Sequence, residues 1–110
     1  MKLGNLPVGA TNWSELPVSV QSGGSGTATA RTRQLGEIRL RLVDYTASYI
    51  GDSWCSKGHI VFIVAGALVI EHQNGHKYAL TPGMIYHVAD GNGSPHRARS
   101  ESGATIFVID

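Results

Sequence analysis

The sequence predicts an all-β protein, a sandwich or barrel of about eight short strands. Fourteen of the 110 residues are glycine, which indicates many turns and favours short strands over long helices. No stretch of ten or more residues places apolar side chains at helical spacing. Short apolar or alternating segments recur instead, and turn residues separate them, as in proteins built from antiparallel strands.

The N-terminal segment 1–26 differs from the rest, because Pro7, Pro17 and a run of serine and glycine interrupt regular structure there. Trp13 is expected to pack on the body of the protein, since an exposed tryptophan is unusual. We therefore predict a single domain over residues 1–110 in which 1–26 forms an arm and a flexible loop. A partly disordered tail is the alternative.

Several segments show the pattern of β-strands. Residues 37–45 alternate between apolar residues and arginine, the period of a half-buried strand, and residues 60–64 are apolar throughout, as in a strand covered on both faces. Residues 27–35, rich in threonine and alanine, suggest an edge strand. The Asn-Gly pair at 74–75 predicts a tight hairpin. Further strands are expected over 67–72, 77–80, 84–89, 96–100 and 104–109.

The charge distribution and the cysteine content exclude several classes of protein. A formal net charge of +1 with scattered lysine and arginine gives no electrostatic footprint for nucleic acid. No apolar run reaches the ~18 residues of a membrane span, and the first residues lack the apolar stretch of a signal peptide. The single cysteine, Cys55, excludes an internal disulfide and suits a reducing compartment. We expect a cytoplasmic protein without nucleic-acid or membrane partners.

Three residues have the chemistry of metal ligands. Cys55 and His59 are four residues apart and share a face if the chain is extended, and His96 opens a later strand. A thiolate and two imidazoles form a ligand set that leaves positions open for water or substrate. The alternative is that Cys55 is a small buried apolar residue and that both histidines are hydrogen-bonded core residues.

The spacing of glycines around these residues resembles that of the cupin superfamily. Counting back from Gly66, the glutamate position of the first cupin motif falls on His59, and the His-x-His positions fall on Ser53 and Cys55. The stretch 52–59 is also similar to that of small bacterial cupins with an Asp-His-Cys-Trp type motif.

The second cupin motif is matched less closely. Gly83 fits its opening, and His96 stands two residues later than the motif's histidine. The resemblance implies a cupin-type double-stranded β-helix, a jelly-roll barrel of about eight strands, with one divalent metal inside. The implied ligands are Cys55, His59 and His96, while Ser53 at most hydrogen-bonds a water. A thiolate ligand favours zinc, iron, nickel or copper over magnesium or calcium.

Further residues are expected to line the cavity or to contact a small-molecule ligand. Arg39 and Arg41 are able to hold a carboxylate in a bidentate pair if they point inward. Trp54 is able to stack on a ligand, and either Tyr86 or His87 faces the cavity because neighbouring residues of a strand alternate. Ser53 completes this set. His72 and His76 flank the predicted hairpin and are expected to be exposed to solvent.

Function and assembly follow less directly from the residues. No glutamate or aspartate falls in the motif positions, so activity stays undefined beyond a cupin that binds a metal, a small molecule or both. A metal-dependent dioxygenase or isomerase is one alternative, and a metal-free ligand-binding or sensing module is the other. Val61 and Ile63 are expected to face the interior with His59. The opposite faces of 60–64 and 104–109 are also apolar, which predicts a homodimer with the arm at its interface.

Overall fold

The computed structural model describes residues 3–91 and 94–110, which form one short 3-10 helix (Trp13–Glu15) and ten β-strands. None of these residues lies in an α-helix, so the predicted all-β class is confirmed, and no helix of this part of the chain has the length and apolarity to cross a membrane. The strands are β1 (Val18–Ser22), β2 (Thr27–Leu35), β3 (Ile38–Tyr45), β4 (Tyr49–Ile50), β5 (His59–Gly66), β6 (Leu68–His72), β7 (Lys77–Leu80), β8 (Ile85–Val88), β9 (His96–Ser100) and β10 (Ala104–Ile109).

The strands form two antiparallel sheets that close a jelly-roll barrel. One sheet has six strands in the order β1-β2-β3-β10-β5-β8, and the other has four in the order β4-β9-β6-β7. The two strands beyond the predicted eight are β1 and the two-residue β4. Strands that are distant in sequence, such as β3, β10 and β5, are neighbours in the first sheet, which brings separate segments of the chain to one wall of the barrel.

The expectation that residues 27–35 form an edge strand is wrong. β2 pairs with β3 on one side and with β1 on the other, so that β1 is the edge. The segment before β1 also contacts the outer face of this sheet. The ring of Trp13 meets that of Phe107 edge-on at 5.9 Å between centroids, and the Nη1 of Arg31 donates to the carbonyl oxygens of Trp13 and Leu16.

The core occupies one end of the barrel, where the inner faces of both sheets are apolar. Ile63 is fully buried, and Val43, Val61, Leu68 and Ile106 are nearly so. This confirms that Val61 and Ile63 face the interior, and His59 shares their side of β5 because it lies two residues before Val61. The inward-facing side chains of β5 are therefore polar at one end of the barrel and apolar at the other.

The same alternation turns the arginines of β3 inward. Arg39 and Arg41 are four and two residues before the buried Val43, so they share its face, whereas Leu40 and Leu42 lie on the outer face. Leu40 and Leu42 are thus only half-buried, and the two arginines reach the interior.

Candidate metal centre

Cys55 is held beside His96 by backbone hydrogen bonds. The Cys55 N–H donates to the carbonyl oxygen of His96 at 2.8 Å, and the His96 N–H donates to that of Cys55 at 2.9 Å, forming an isolated antiparallel bridge. The four-residue spacing suggested that Cys55 and His59 share a strand. They do not, because β5 begins only at His59. The loop before β5 instead carries the thiol across to the start of β9.

The three predicted ligands converge at the polar end of the barrel. One ligand atom each of Cys55, His59 and His96 lie within 4.8 Å of one another, and the Cys55 Sγ is 3.6 Å from the His59 Nε2. Bond lengths of 2.0–2.3 Å around a tetrahedral zinc ion separate the ligand atoms by roughly 3.5 Å. The cluster therefore has the size and the composition of a three-ligand metal site.

The hydrogen bonds of both histidines direct their Nε2 lone pairs into the cluster. The His59 Nδ1 is 2.9 Å from the Asp110 Oδ2, and the His96 Nδ1 is 2.8 Å from the carbonyl oxygen of Ser94. Because both partners are acceptors, the Nδ1 atoms carry the protons. The His96 Nε2 is then a buried acceptor with no hydrogen-bond partner among the described residues. A buried polar atom without a partner is rare, and a metal ion would satisfy it.

Asp110 organises the polar end of the barrel, and the sequence analysis did not identify it. Its carboxylate is fully buried and accepts two hydrogen bonds from Arg39 at 2.8 and 3.0 Å, one from the Arg41 Nη2 at 2.8 Å and one from His59. Residues 39 and 110 also exchange backbone hydrogen bonds. A carboxylate that accepts the second N–H of a ligating histidine fixes its ring and raises its basicity.

The electrostatics keep Asp110 charged and His59 neutral. Burial by itself raises the pKa of Asp110, but the hydrogen bonds and charges of Arg39 and Arg41 outweigh it and hold the pKa well below its usual range. Burial lowers the pKa of His59. The nearby His96 and Arg41 lower it further, whereas the hydrogen bond and charge of Asp110 raise it. The neutral imidazole has the lone pair that a metal ligand needs.

A cavity of about 280 Å³ opens beside the cluster. Its walls include the three candidate ligands, and its apolar floor is formed by core residues of both sheets. Those core residues are Val61, Leu68, Ile70, Ile106 and Val108. The volume is near the lower end of the range for small-molecule sites, which suits a ligand of a few non-hydrogen atoms.

Comparisons with known proteins identify the fold. No protein-family profile matches the chain, and no curated protein sequence matches it. Among solved structures, an RmlC-like cupin from Shewanella frigidimarina superposes with a TM-score of 0.76 at 13% identity, covering 96% of this chain and 91% of that one. The chain has the cupin fold. The predicted resemblance to cupins and the jelly-roll architecture are therefore both confirmed.

Two further similar solved structures have stated activities or metals. A sugar phosphate isomerase of the cupin superfamily from Silicibacter pomeroyi has a TM-score of 0.70 at 17% identity, covering 92% of this chain and 74% of that one. An Fe(II)-bound HppE, solved with an alternative substrate, has a TM-score of 0.77 at 13% identity, covering 94% of this chain and 60% of that one. At these identities the similarity concerns the fold.

The cupin cavity contains some of the other predicted residues. Ser53, Arg39 and Arg41 line it. Trp54 is not among the lining residues, because its exposed ring lies under the guanidinium of Arg97, whose Cζ is 4.4 Å from the ring centroid. The cation–π contact stabilises the indole at the surface, and a contact between Trp54 and a ligand stays a prediction.

On β8, Tyr86 faces the interior and His87 is exposed on the outer face. Tyr86 also lies outside the cavity lining, because it packs one layer away in a cluster with His72 and Tyr78. Of this pair, Tyr86 is the inward-facing residue, with its ring 6.2 Å from that of His96, and a role in binding a ligand stays a prediction.

The expectation that His72 is exposed is wrong. His72 pairs with His96 in the register of β6 and β9, and its side chain is buried beside the ring of His96. Burial raises the pKa of Tyr86 to about 12 and lowers that of His72, and a hydrogen bond of 2.7 Å joins the Tyr86 hydroxyl and the His72 Nε2. Both rings of this pair pack against that of His96, and only the pairing of β6 with β9 reveals it.

Proposed function

We propose that this cupin barrel binds a divalent transition metal through Cys55, His59 and His96 and accepts a small molecule in the adjoining cavity. The observation that carries the proposal is the buried His96 Nε2, a lone pair without a partner among the described residues. The Cys55 Sγ and the His59 Nε2 lie beside it. A hydrogen-bonded core cluster would leave no such orphan.

The donor set suits zinc, iron, nickel or copper, since thiolate and imidazole are the ligands these ions prefer. Three protein ligands would leave at least one coordination position, and the cavity adjoins the cluster. A bound ion would supply Lewis acidity there. The chain itself holds the proton on the His59 Nδ1 through Asp110 and keeps the His96 ring in place through Ser94.

Catalysis on a small metabolite, as a dioxygenase or an isomerase, is the second candidate function. The open coordination position favours it, because enzymes that use a metal as a Lewis acid need one. Of the acids near the cluster, however, Asp110 is engaged by two arginines, and Asp52, which lines the cavity, is exposed. We therefore place ligand binding first. A cytoplasmic location, inferred from the lone thiol, belongs to the same proposal.

A zinc titration tests the proposal. Metal-depleted protein should bind one zinc ion per chain with a Kd of about 1 µM or lower, or about 8 kcal/mol. The bound ion should slow alkylation of Cys55 by iodoacetamide at least about tenfold, because a coordinated thiolate is a poor nucleophile. Isothermal titration and mass spectrometry measure the two quantities.

The exposed His76 at the hairpin supplies the control, since His76→Gln should leave both results unchanged. Absence of zinc, nickel and iron(II) binding, with alkylation equally fast in the presence and absence of metal, would contradict the metal site. The metal-free binding or sensing module would then describe the protein.

We also propose a homodimer that buries the outer face of the six-stranded sheet. Trp13 packs on Phe107 on this face. Ile60, Phe62 and Val64 nevertheless stay 39%, 40% and 47% exposed. The described part of the arm therefore leaves this face partly uncovered, and a second copy would complete its burial.

Light scattering at micromolar concentration should give twice the mass of the chain, and Phe62→Glu should reduce it to one chain. Ala79→Glu, on an exposed position of the other sheet, should leave the dimer intact. A single-chain mass for the unmodified protein would refute the dimer.

A further inference from the structure

The charges around the cavity are unbalanced. Of the cationic side chains in its wall, Arg97 is already paired with Glu71 outside the cavity, and the acids are fewer than the cations. The cations are Arg39, Arg41, Lys57 and Arg97, and Asp52 is the acid among the described lining residues. Asp110, which pairs with Arg39 and Arg41, is not part of the wall. A divalent ion with a single thiolate ligand would add further positive charge. The cavity is therefore suited to an anion.

Two guanidinium groups share one carboxylate at the end of this cavity. Arg39 engages Asp110 through both Nε and Nη2, whereas Arg41 makes one hydrogen bond through Nη2, and its Nε is buried without a partner. Neither Nη1 has a hydrogen-bond partner within 3–91 or 94–110. The side chains are 34% and 24% exposed and line the cavity, so these Nη1 groups are accessible to a ligand.

The arginines are also close to the candidate metal centre. The Asp110 Oδ2 accepts hydrogen bonds from both Arg41 and His59, so that a single carboxylate oxygen separates the guanidinium from a ligand ring. An anion seated on Arg41 would thus place its remaining atoms toward the cluster, above the apolar floor of the cavity.

We propose that the small molecule bound in this cavity is a carboxylate whose anionic group lies against Arg39 and Arg41. This inference rests on the proposed function only in assigning the ligand to this cavity. The planar guanidinium fork matches a carboxylate. Phosphate sites usually add a nest of free backbone N–H groups or a helix N-terminus, and strands engaged in sheet hydrogen bonds form most of this wall. The volume limits the ligand to a small acid.

Malonate and malonamide provide a matched pair of probes, because they share a skeleton and differ in charge. Isothermal titration of the metal-depleted protein should show malonate binding and at least tenfold weaker malonamide binding. Arg41→Gln should weaken malonate binding at least tenfold. Arg33→Gln should leave it unchanged, since Arg33 is exposed on the neighbouring β2 and is not part of the cavity wall.

Arg41→Lys guards against a loss of folding, because it keeps a cation beside Asp110 while removing the fork. It should melt near the unmodified protein and bind malonate more weakly. Equal affinity for the two probes, unchanged affinity in both Arg41 variants, or tighter binding of inorganic phosphate than of malonate would overturn the inference. Zinc binding is measured separately on the same protein: zinc binding without malonate binding overturns only the carboxylate site, and malonate binding without zinc overturns only the metal site.

Discussion

Replacement of Cys55 by serine is expected to weaken zinc binding at least about 100-fold, equivalent to about 2.7 kcal/mol. Serine has nearly the same shape, but its hydroxyl stays protonated at neutral pH and is a poor ligand for zinc. The bridge between Cys55 and His96 uses backbone atoms only, so the loop should keep its position in the variant. The loss should therefore appear in metal affinity and leave thermal stability without metal nearly unchanged.

His96→Gln is the partner experiment, since it removes the buried lone pair while glutamine keeps a polar side chain at that position. It should also lose at least about 100-fold in zinc affinity. Isothermal titration of both variants, with His76→Gln as control, measures the effect. If Cys55→Ser binds zinc as tightly as the unmodified protein, the thiol is not a ligand and the choice of metal no longer favours thiophilic ions.

Asp110→Asn is expected to lower the free energy of unfolding by about 2–3 kcal/mol and to weaken zinc binding by about 10–100-fold. The asparagine would leave Arg39 and Arg41 without their buried counter-charge. A fully buried pair would lose more, but both guanidinium groups are partly exposed and water screens them. The affinity falls for a different reason, because an amide orients the His59 ring less firmly than a carboxylate.

The effect on stability should depend on pH. The pKa of Asp110 is lower in the folded protein than its unfolded value of about 3.9, so its contribution is complete above that value and fades as the pH falls toward the folded pKa. The difference in the free energy of unfolding between Asp110→Asn and the unmodified protein should thus be constant near neutral pH and shrink below about pH 4. Urea unfolding at several pH values measures it, with the exposed Glu37→Gln as control. Equal stability of Asp110→Asn and the unmodified protein at pH 7 would show that the carboxylate is not needed to hold the arginines.

Local sequence patterns predicted eight of the ten strands that the structure describes and, for β5, the side that faces the core. The alternation over residues 59–63 placed His59 on the face of Val61 and Ile63 before any pairing was known, and the structure agrees. The three candidate ligands were also accessible from the sequence, through their chemistry and the cupin glycine spacing. Periodicity of this kind is a property of neighbouring residues, which is why one segment suffices to reveal it.

The environment of those ligands came only from the tertiary structure. Asp110 is 51 residues from His59 and 71 from Arg39 along the chain, and it reaches them because β10 lies between β3 and β5. His72 is buried beside His96 only because β6 pairs with β9. Likewise, residues 27–35 have an edge-strand composition but are covered by β1. Pairing between distant strands depends on how the whole chain closes the barrel, so a local pattern indicates that a residue faces inward but does not identify the residues that it meets there.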